Sequence, residues 1–190
     1  MSVEQFTADN RTTINWASGT STELFIYPAN GSFLERNFLF RISTATVEAE
    51  ASTFTFFEGI TRHLMILKGK LELIHEGRYT KQLEPFGQDI FSGEWKTFSK
   101  GKVTDFNLML KDGAKGSLTH CRIEQGCNEL FIAKADHYFI YFVTGTGTLS
   151  NGKKTKAGDL LWLEKGTDIS VHAQESCDLV TIEIVNPIYL

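Results

Sequence analysis

Apolar and polar residues alternate with a period of two through much of the chain. Phe38, Phe40 and Ile42 are set against Leu39, Arg41 and Ser43, the pattern of a strand whose two faces differ. Between Arg62 and Gly69 a short apolar run meets a glycine turn and leaves as a second alternating strand, with Leu71 and Leu73 against Lys70 and Glu72. That arrangement predicts a hairpin. Further on, Phe106, Leu108 and Leu110 fall on one face of a strand and Asp105, Asn107 and Met109 on the other. In so apolar a neighbourhood, a strand face carrying Asp and Asn either lies exposed or holds a polar pocket.

The flanks read the same way. Residues 6 to 16 suit an edge strand ending at Trp16, and Leu24 to Tyr27 form an apolar strand stopped by Pro28. The run Ser18-Gly19-Thr20-Ser21-Thr22 between them has loop chemistry. Its hydroxyls and amides, Thr22 included, either cap an anion or merely turn the chain. Lys111 to Glu129 is a polar, glycine-rich connection with a short strand expected over Leu118 to Ile123. The pattern then restarts: a strand over Tyr138 to Val143, an Asn151-Gly152 hairpin turn and a terminal strand from Leu179 to Val185. The halves overlay, Lys68-Gly69-Lys70 on Thr144-Gly145-Thr146 and Gly87-Gln88-Asp89 on Gly158-Asp159. The best helical window, Val47 to Ser52, is too short to stand alone. Short strands at this density, duplicated, predict an all-β chain of two packed barrels, residues 1–113 and 114–190, in one compact body.

Composition narrows the possible functions. A chain of 190 residues with 42% apolar and 22% charged residues is ordinary for a folded domain. The formal charge of -4 and the lack of any long basic run argue against nucleic acid as a partner. The first residues show no basic flank followed by an apolar stretch, and no segment reaches the roughly 20 apolar residues that span a bilayer. Three cysteines, Cys121, Cys127 and Cys177, without an export signal suggest reduced thiols and a cytoplasmic location.

Six short tags occur in order along the chain: W-x-S-G-T-S-T-E (Trp16 to Glu23), F-x-x-R-I-S-x-A (Phe38 to Ala45), F-x-x-F-x-G-x-x-R (Phe54 to Arg62), L-K-G (Leu67 to Gly69), F-S-G (Phe91 to Gly93) and D-F-N-L-M (Asp105 to Met109). Together they resemble the HutD/Ves family. The resemblance implies two cupin-like, RmlC-like jelly-roll β-barrels, and gene neighbours that degrade histidine. Members often carry more glycine after the tryptophan than the Ala17-Ser18-Gly19-Thr20-Ser21 found here.

Metal-dependent cupins gather His and Glu ligands around an open coordination position. Counting back from Gly69, the glutamate place falls on Arg62 and the upstream His places near Thr55 and Phe57. In the second half the equivalents are Tyr138, Ile132, Lys134 and Ile169. None suits a metal, and a guanidinium in the carboxylate's place attracts anions. His120, Cys121 and Cys127, with His172 or Cys177, lack the paired spacing of zinc sites. His63 and His137 read as strand residues, and no phosphate-binding loop or nucleophile motif is present. No metal or cofactor is therefore expected.

The residues left are Arg62 with Asp105 and Asn107. By period two Arg62 shares a face with Leu64 and Ile66, where an unpaired cation is costly. A buried Arg62–Asp105 pair that stitches the barrel and a clamp for a ligand carboxylate both stay open, and they are compatible. Arg41 reads as a solvated cation or a structural ion pair. Three functions follow. In the first, a metal-free pocket binds a small carboxylate through Arg62, with Asp105 and Asn107 orienting it, Phe54 and Phe57 walling it, and Arg41 and Thr22 at its margins; the protein is then a metabolite sensor or buffer. In the second, a metal-free isomerase or epimerase uses Asp105 and His63 as proton carriers. In the third, the chain is an interaction module whose second barrel forms a homodimer wall.

Overall fold

The computed structural model describes residues 2–9 and 11–187. Among them the chain forms nineteen strands and no helix. The strands are β1 (Val3–Phe6), β2 (Thr13–Trp16), β3 (Gly19–Tyr27), β4 (Phe40–Val47), β5 (Ala51–Thr53) and β6 (Thr61–Gly69). There follow β7 (Leu71–His75), β8 (Tyr79–Leu83), β9 (Gln88–Ser92), β10 (Thr97–Lys100), β11 (Val103–Leu110), β12 (Lys115–Ile123) and β13 (Asn128–Ile132). The last are β14 (His137–Phe142), β15 (Thr146–Leu149), β16 (Lys154–Lys156), β17 (Leu160–Glu164), β18 (Asp168–Ala173) and β19 (Cys177–Val185). Every strand pairing is antiparallel. No described helix is long and apolar enough to cross a membrane.

Two units divide the chain. One runs Arg11–Ala114; the other combines the described residues of Met1–Asn10 with those of Lys115–Leu190. In the first, a six-stranded sheet in the order β2-β3-β4-β11-β6-β9 accompanies a four-stranded sheet β5-β10-β7-β8. In the second, a five-stranded sheet β1-β17-β14-β19-β12 accompanies β13-β18-β15-β16. Apart from β1, β2 and β3, the orders are the same strand for strand, so the duplication read from the glycine turns is also a duplication of topology. The boundary near residue 114 differs from expectation at the N-terminus, because β1 pairs with β17, from Val3↔Leu163 to Phe6↔Leu160.

Each unit buries the inward faces of its two sheets. In the first, Leu64 and Ile66 of β6, Leu71 and Leu73 of β7, Leu83, Phe91 and Val103 form one cluster. Removing each of the fully buried leucines and isoleucines from water contributes roughly 1.5–3 kcal/mol. In the second, Tyr138, Ile140 and Phe142 pack with Leu161, Leu163, Ile169 and Val171. The turns leading out of β6 and β14 need glycine. Gly69 has φ +89° and a Cβ there would meet the Lys102 carbonyl at 2.4 Å, while Gly145 has φ +82° and would meet the Ser176 carbonyl at 2.5 Å.

The Val47–Ser52 window is not helical: β4 runs to Val47 and β5 begins at Ala51. Of the Ser18–Thr22 run, Ser18 lies in the turn after β2, while Gly19 to Thr22 open β3 and pair with both β2 and β4. The short strand expected near Leu118 is the nine-residue β12.

Candidate functional site

Cross-strand register arranges one face of the six-stranded sheet in rows. Ile14, Ser21, Ala45 and Asp105 are successive partners in one row, and Glu23, Ser43 and Asn107 in the next. Ile26, Arg41, Met109 and Arg62 make the third. A bulge at Leu24 makes the last row possible. The register shifts between Glu23 and Phe25, so Glu23 and Ile26, three apart, come to share a face.

These rows, Glu23 and Ile26 excepted, floor a cavity of about 230 Å³ inside the Arg11–Ala114 unit, which Phe33, Phe54 and Phe57 wall and to which Trp16 also contributes. That volume lies below the roughly 300 Å³ where drug-sized sites begin, which suits a small metabolite.

Arg62 is the principal charged group. Its side chain leaves β6 on the same face as Leu64 and Ile66, and the residue is 7% exposed. The guanidinium lies over the Phe54 ring, 4.6 Å from its centroid, with Phe91 at 5.5 Å and Phe57 at 5.9 Å. Nη2 donates to Asn107 Oδ1 at 3.3 Å. The buried Nε has no hydrogen-bond partner among the described residues. Burial pulls the guanidinium down to about 10, against the raising effect of Asp105, so it stays charged at neutral pH. A buried donor left unmade costs about 1–3 kcal/mol, and aromatic faces supply only part of what water would.

Asn107 links this cation to Asp105: its amide Nδ2 donates to Asp105 Oδ1 while its Oδ1 accepts from Arg62. Burial lifts the Asp105 carboxyl to about 7, despite the opposing pull of Arg62 and the Asn107 bond. The stitch foreseen between Arg62 and Asp105 is therefore relayed through an amide rather than made as a direct pair.

Arg41 differs from the solvated reading. It is 2% exposed, its Nε donates to Glu23 Oε2 at 2.8 Å and its Nη1 to Ser43 Oγ at 2.9 Å. It also lies 4.2 Å from the centroid of Phe33. Of its two sequence readings, the ion pair is the one formed, and it lines the cavity. Thr22 does not join it. The rows put Ser21 and Glu23 on the cavity face, and the Thr22 hydroxyl instead meets Thr13 Oγ1 at 2.8 Å.

The structure thus brings Arg62, Asp105, Asn107, Arg41, Phe54 and Phe57 around one cavity, with Thr55 beside them. Arg62, Thr55 and Phe57, the places that counting back from Gly69 gives to the ligands of a metal-dependent cupin, all line this cavity. Among the described residues no three of His, Cys, Asp or Glu converge on a common point. His120 instead contacts Asp178 at 2.9 Å, and His172 contacts Asn128 at 3.2 Å. His63 pairs with Leu108, on the opposite face of the sheet from Asp105, so the two proposed proton carriers do not share a site.

Sequence reading missed Glu23, Ser43, Ser21, Phe33, Ile14 and Trp16. Period two from Arg41 points to Ser43, but Glu23 becomes visible only once the bulge is known. It also missed a buried cluster elsewhere in the same unit. Asp89 Oδ2 accepts from Tyr79 and contacts His75 Nε2, both at 3.0 Å, Asp89 Oδ1 takes Lys81 Nζ at 2.9 Å, and His75 Nδ1 meets Thr97 Oγ1 at 2.8 Å.

Comparison with known proteins agrees with this architecture. The chain superposes on PA5104, a conserved protein of unknown function from Pseudomonas aeruginosa PAO1, with a TM-score of 0.84 at 21% identity, covering 98% of this chain and 100% of that one. It superposes on HutD from Pseudomonas fluorescens SBW25 with a TM-score of 0.77 at 21% identity and the same coverage. YhhW from Escherichia coli gives 0.75 at 15% identity, with both chains fully covered. These likenesses show a shared cupin-like, all-β fold. No curated protein sequence matches. The HutD family model matches residues 8–181, nearly the whole of the chain whose six tags and rowed β-sheet are described above, and the protein belongs to the HutD family.

Proposed function

We propose that the protein is a metal-free binding protein for a small carboxylate, held in the Arg11–Ala114 unit by Arg62. The observation that carries this reading is the Arg62 guanidinium, a buried cation in the lining of a cavity whose hydrogen bonding among the described residues is one bond to Asn107. A carboxylate set against the guanidinium's N–H groups that border the cavity meets those donors and neutralises the charge together. Asn107 fixes the plane of the guanidinium, and Asp105 lies within the same floor.

A sensor or buffer of a metabolite follows from a site with one anion clamp and no assembled catalytic pair. The family's association with histidine degradation makes an acid of that route the first ligand to try, in a cytoplasmic setting that suits three free thiols. Titration calorimetry with formate, the smallest carboxylate, and with urocanate tests the clamp. Binding is expected for the native chain and lost in Arg62→Met; binding that survives the substitution refutes the assignment.

One observation favours a second reading. A carboxyl near 7 inside a cavity is well matched to acid–base catalysis at neutral pH, so Asp105 alone is the proton carrier of a metal-free isomerase. Turnover of a small acid followed by NMR, abolished in Asp105→Asn, distinguishes that reading from simple binding.

A further inference from the structure

The cavity has two chemically different ends. On the floor, the Arg62 guanidinium makes one hydrogen bond among the described residues, to Asn107, and is a buried cation with donors to spare. Arg41, the other arginine lining the cavity among the described residues, already has its charge met by Glu23 at 2.8 Å and gives a further bond to Ser43 at 2.9 Å. Asp105, also in the lining, opposes any second negative charge. The site therefore has a place for one carboxylate and none for two.

The other end is the edge strand β2. It alternates Thr13 and Asn15 with Ile14 and Trp16, and hydrogen-bonds along one side only, to β3. Ile14 and Trp16 face the cavity, yet they remain 43% and 39% exposed. Scattered exposed apolar residues are ordinary. Two of them at positions i and i+2 on the face turned to a cavity are half of an apolar contact whose other half is missing. Phe33, Phe54 and Phe57 also line the cavity, Phe33 over Arg41 and Phe54 over Arg62.

We infer that the ligand is a monocarboxylic acid with an apolar body, its head on Arg62 and its tail running past the phenylalanines to the Ile14–Trp16 collar, and that the collar selects against acids charged at both ends. This rests on the reading of Arg62 as a carboxylate clamp and adds the other half of the ligand. A chain end that is apolar removes water from Trp16 and Ile14, whereas a second carboxylate at the same distance is desolvated against them without a partner.

Straight-chain acids from acetate to octanoate, and octanedioate, titrated into the full chain at pH 7 test this, with calorimetry and tryptophan fluorescence as readouts. Affinity should rise with chain length, octanoate binding at least about tenfold tighter than acetate and than octanedioate. Trp16→Ala, on an exposed edge, should lower octanoate affinity about tenfold and acetate affinity far less, so that the octanoate-to-acetate ratio falls. Equal affinities along the series, tighter binding of octanedioate, or an octanoate affinity unaffected by Trp16→Ala overturns the inference while leaving the Arg62 clamp standing. Failure of all the acids to bind, or binding that persists in Arg62→Met, overturns the clamp and the inference together. Glu23→Gln supplies an independent check: with Arg41 released from its anion, octanedioate should gain on octanoate, and an unchanged ratio contradicts the view that Arg41 is occupied.

Discussion

Replacing Arg62 by methionine separates a residue kept for binding from one kept for the fold. The substitution removes a guanidinium that is 7% exposed, together with a buried Nε that nothing satisfies. It also removes one bond to Asn107 at 3.3 Å and a cation resting 4.6 Å from the Phe54 ring centroid. Losing the ring contact costs about 1 kcal/mol, which a thioether against the same rings largely restores. Removing the unsatisfied donor returns about 1–3 kcal/mol. Asp105 loses its cation, but its carboxyl already sits at about 7, so it takes up a proton at little cost. The balance is a protein as stable as the native one or up to about 2 kcal/mol more so, which for a chain of this size is a Tm unchanged or raised by about 4–8 °C. Thermal unfolding followed by circular dichroism at pH 7 without ligand measures it. If Arg62 is instead the stitch of the barrel, breaking a buried charge arrangement costs about 3–5 kcal/mol, and a Tm fall of 8 °C or more refutes the reasoning.

Asp105 makes stability depend on pH. A carboxyl raised from its ordinary value to about 7 by burial holds its proton in the folded chain where the unfolded chain has lost it, so stability is greatest below about pH 4 and is lost as pH rises to about 7, by at most about 1.4 kcal/mol per unit. Asp105→Asn should flatten that fall; parallel pH profiles for the two proteins contradict it. Glu23→Ala leaves Arg41 buried without its partner, and because the Glu23 side chain is 29% exposed the expected loss lies at or just below the bottom of the buried-pair range, about 2–3 kcal/mol in a denaturant titration. Asp89→Asn disturbs an acceptor shared by His75, Tyr79 and Lys81, so it should cost about 2–4 kcal/mol while leaving carboxylate binding intact. A matching loss of binding would place that cluster in the site.

The pattern of the site was legible where it depends on strand parity, a local property. Arg62 shares a face with Leu64 and Ile66, and Asp105 with Asn107 and Met109, as period two requires. The glycines at 69 and 145 announced the duplication because only a residue without Cβ fits their turns. What depends on distant partners was not legible. Glu23 reaches Arg41 through the β3–β4 register, which the bulge at Leu24 shifts. Parity within β3 also decides that Ser21 and not Thr22 faces the cavity, and the hydroxyl-rich spelling of that stretch disguised a strand as a loop. Val3 to Phe6 join a sheet through partners near Leu160, more than 150 residues away, and nothing in four residues can specify that. Asp89 gathers His75, Tyr79 and Lys81 from neighbouring strands, each unremarkable in the sequence alone.

The claim that a guanidinium has replaced a metal-binding carboxylate to receive an acid is tested most directly by a crystal structure of the protein grown with octanoate. The account predicts a carboxylate oxygen within about 3 Å of a guanidinium nitrogen of Arg62 and the alkyl chain against Trp16. An empty cavity with the Arg62 side chain turned into bulk solvent, or a transition ion held by histidines in either barrel, contradicts it.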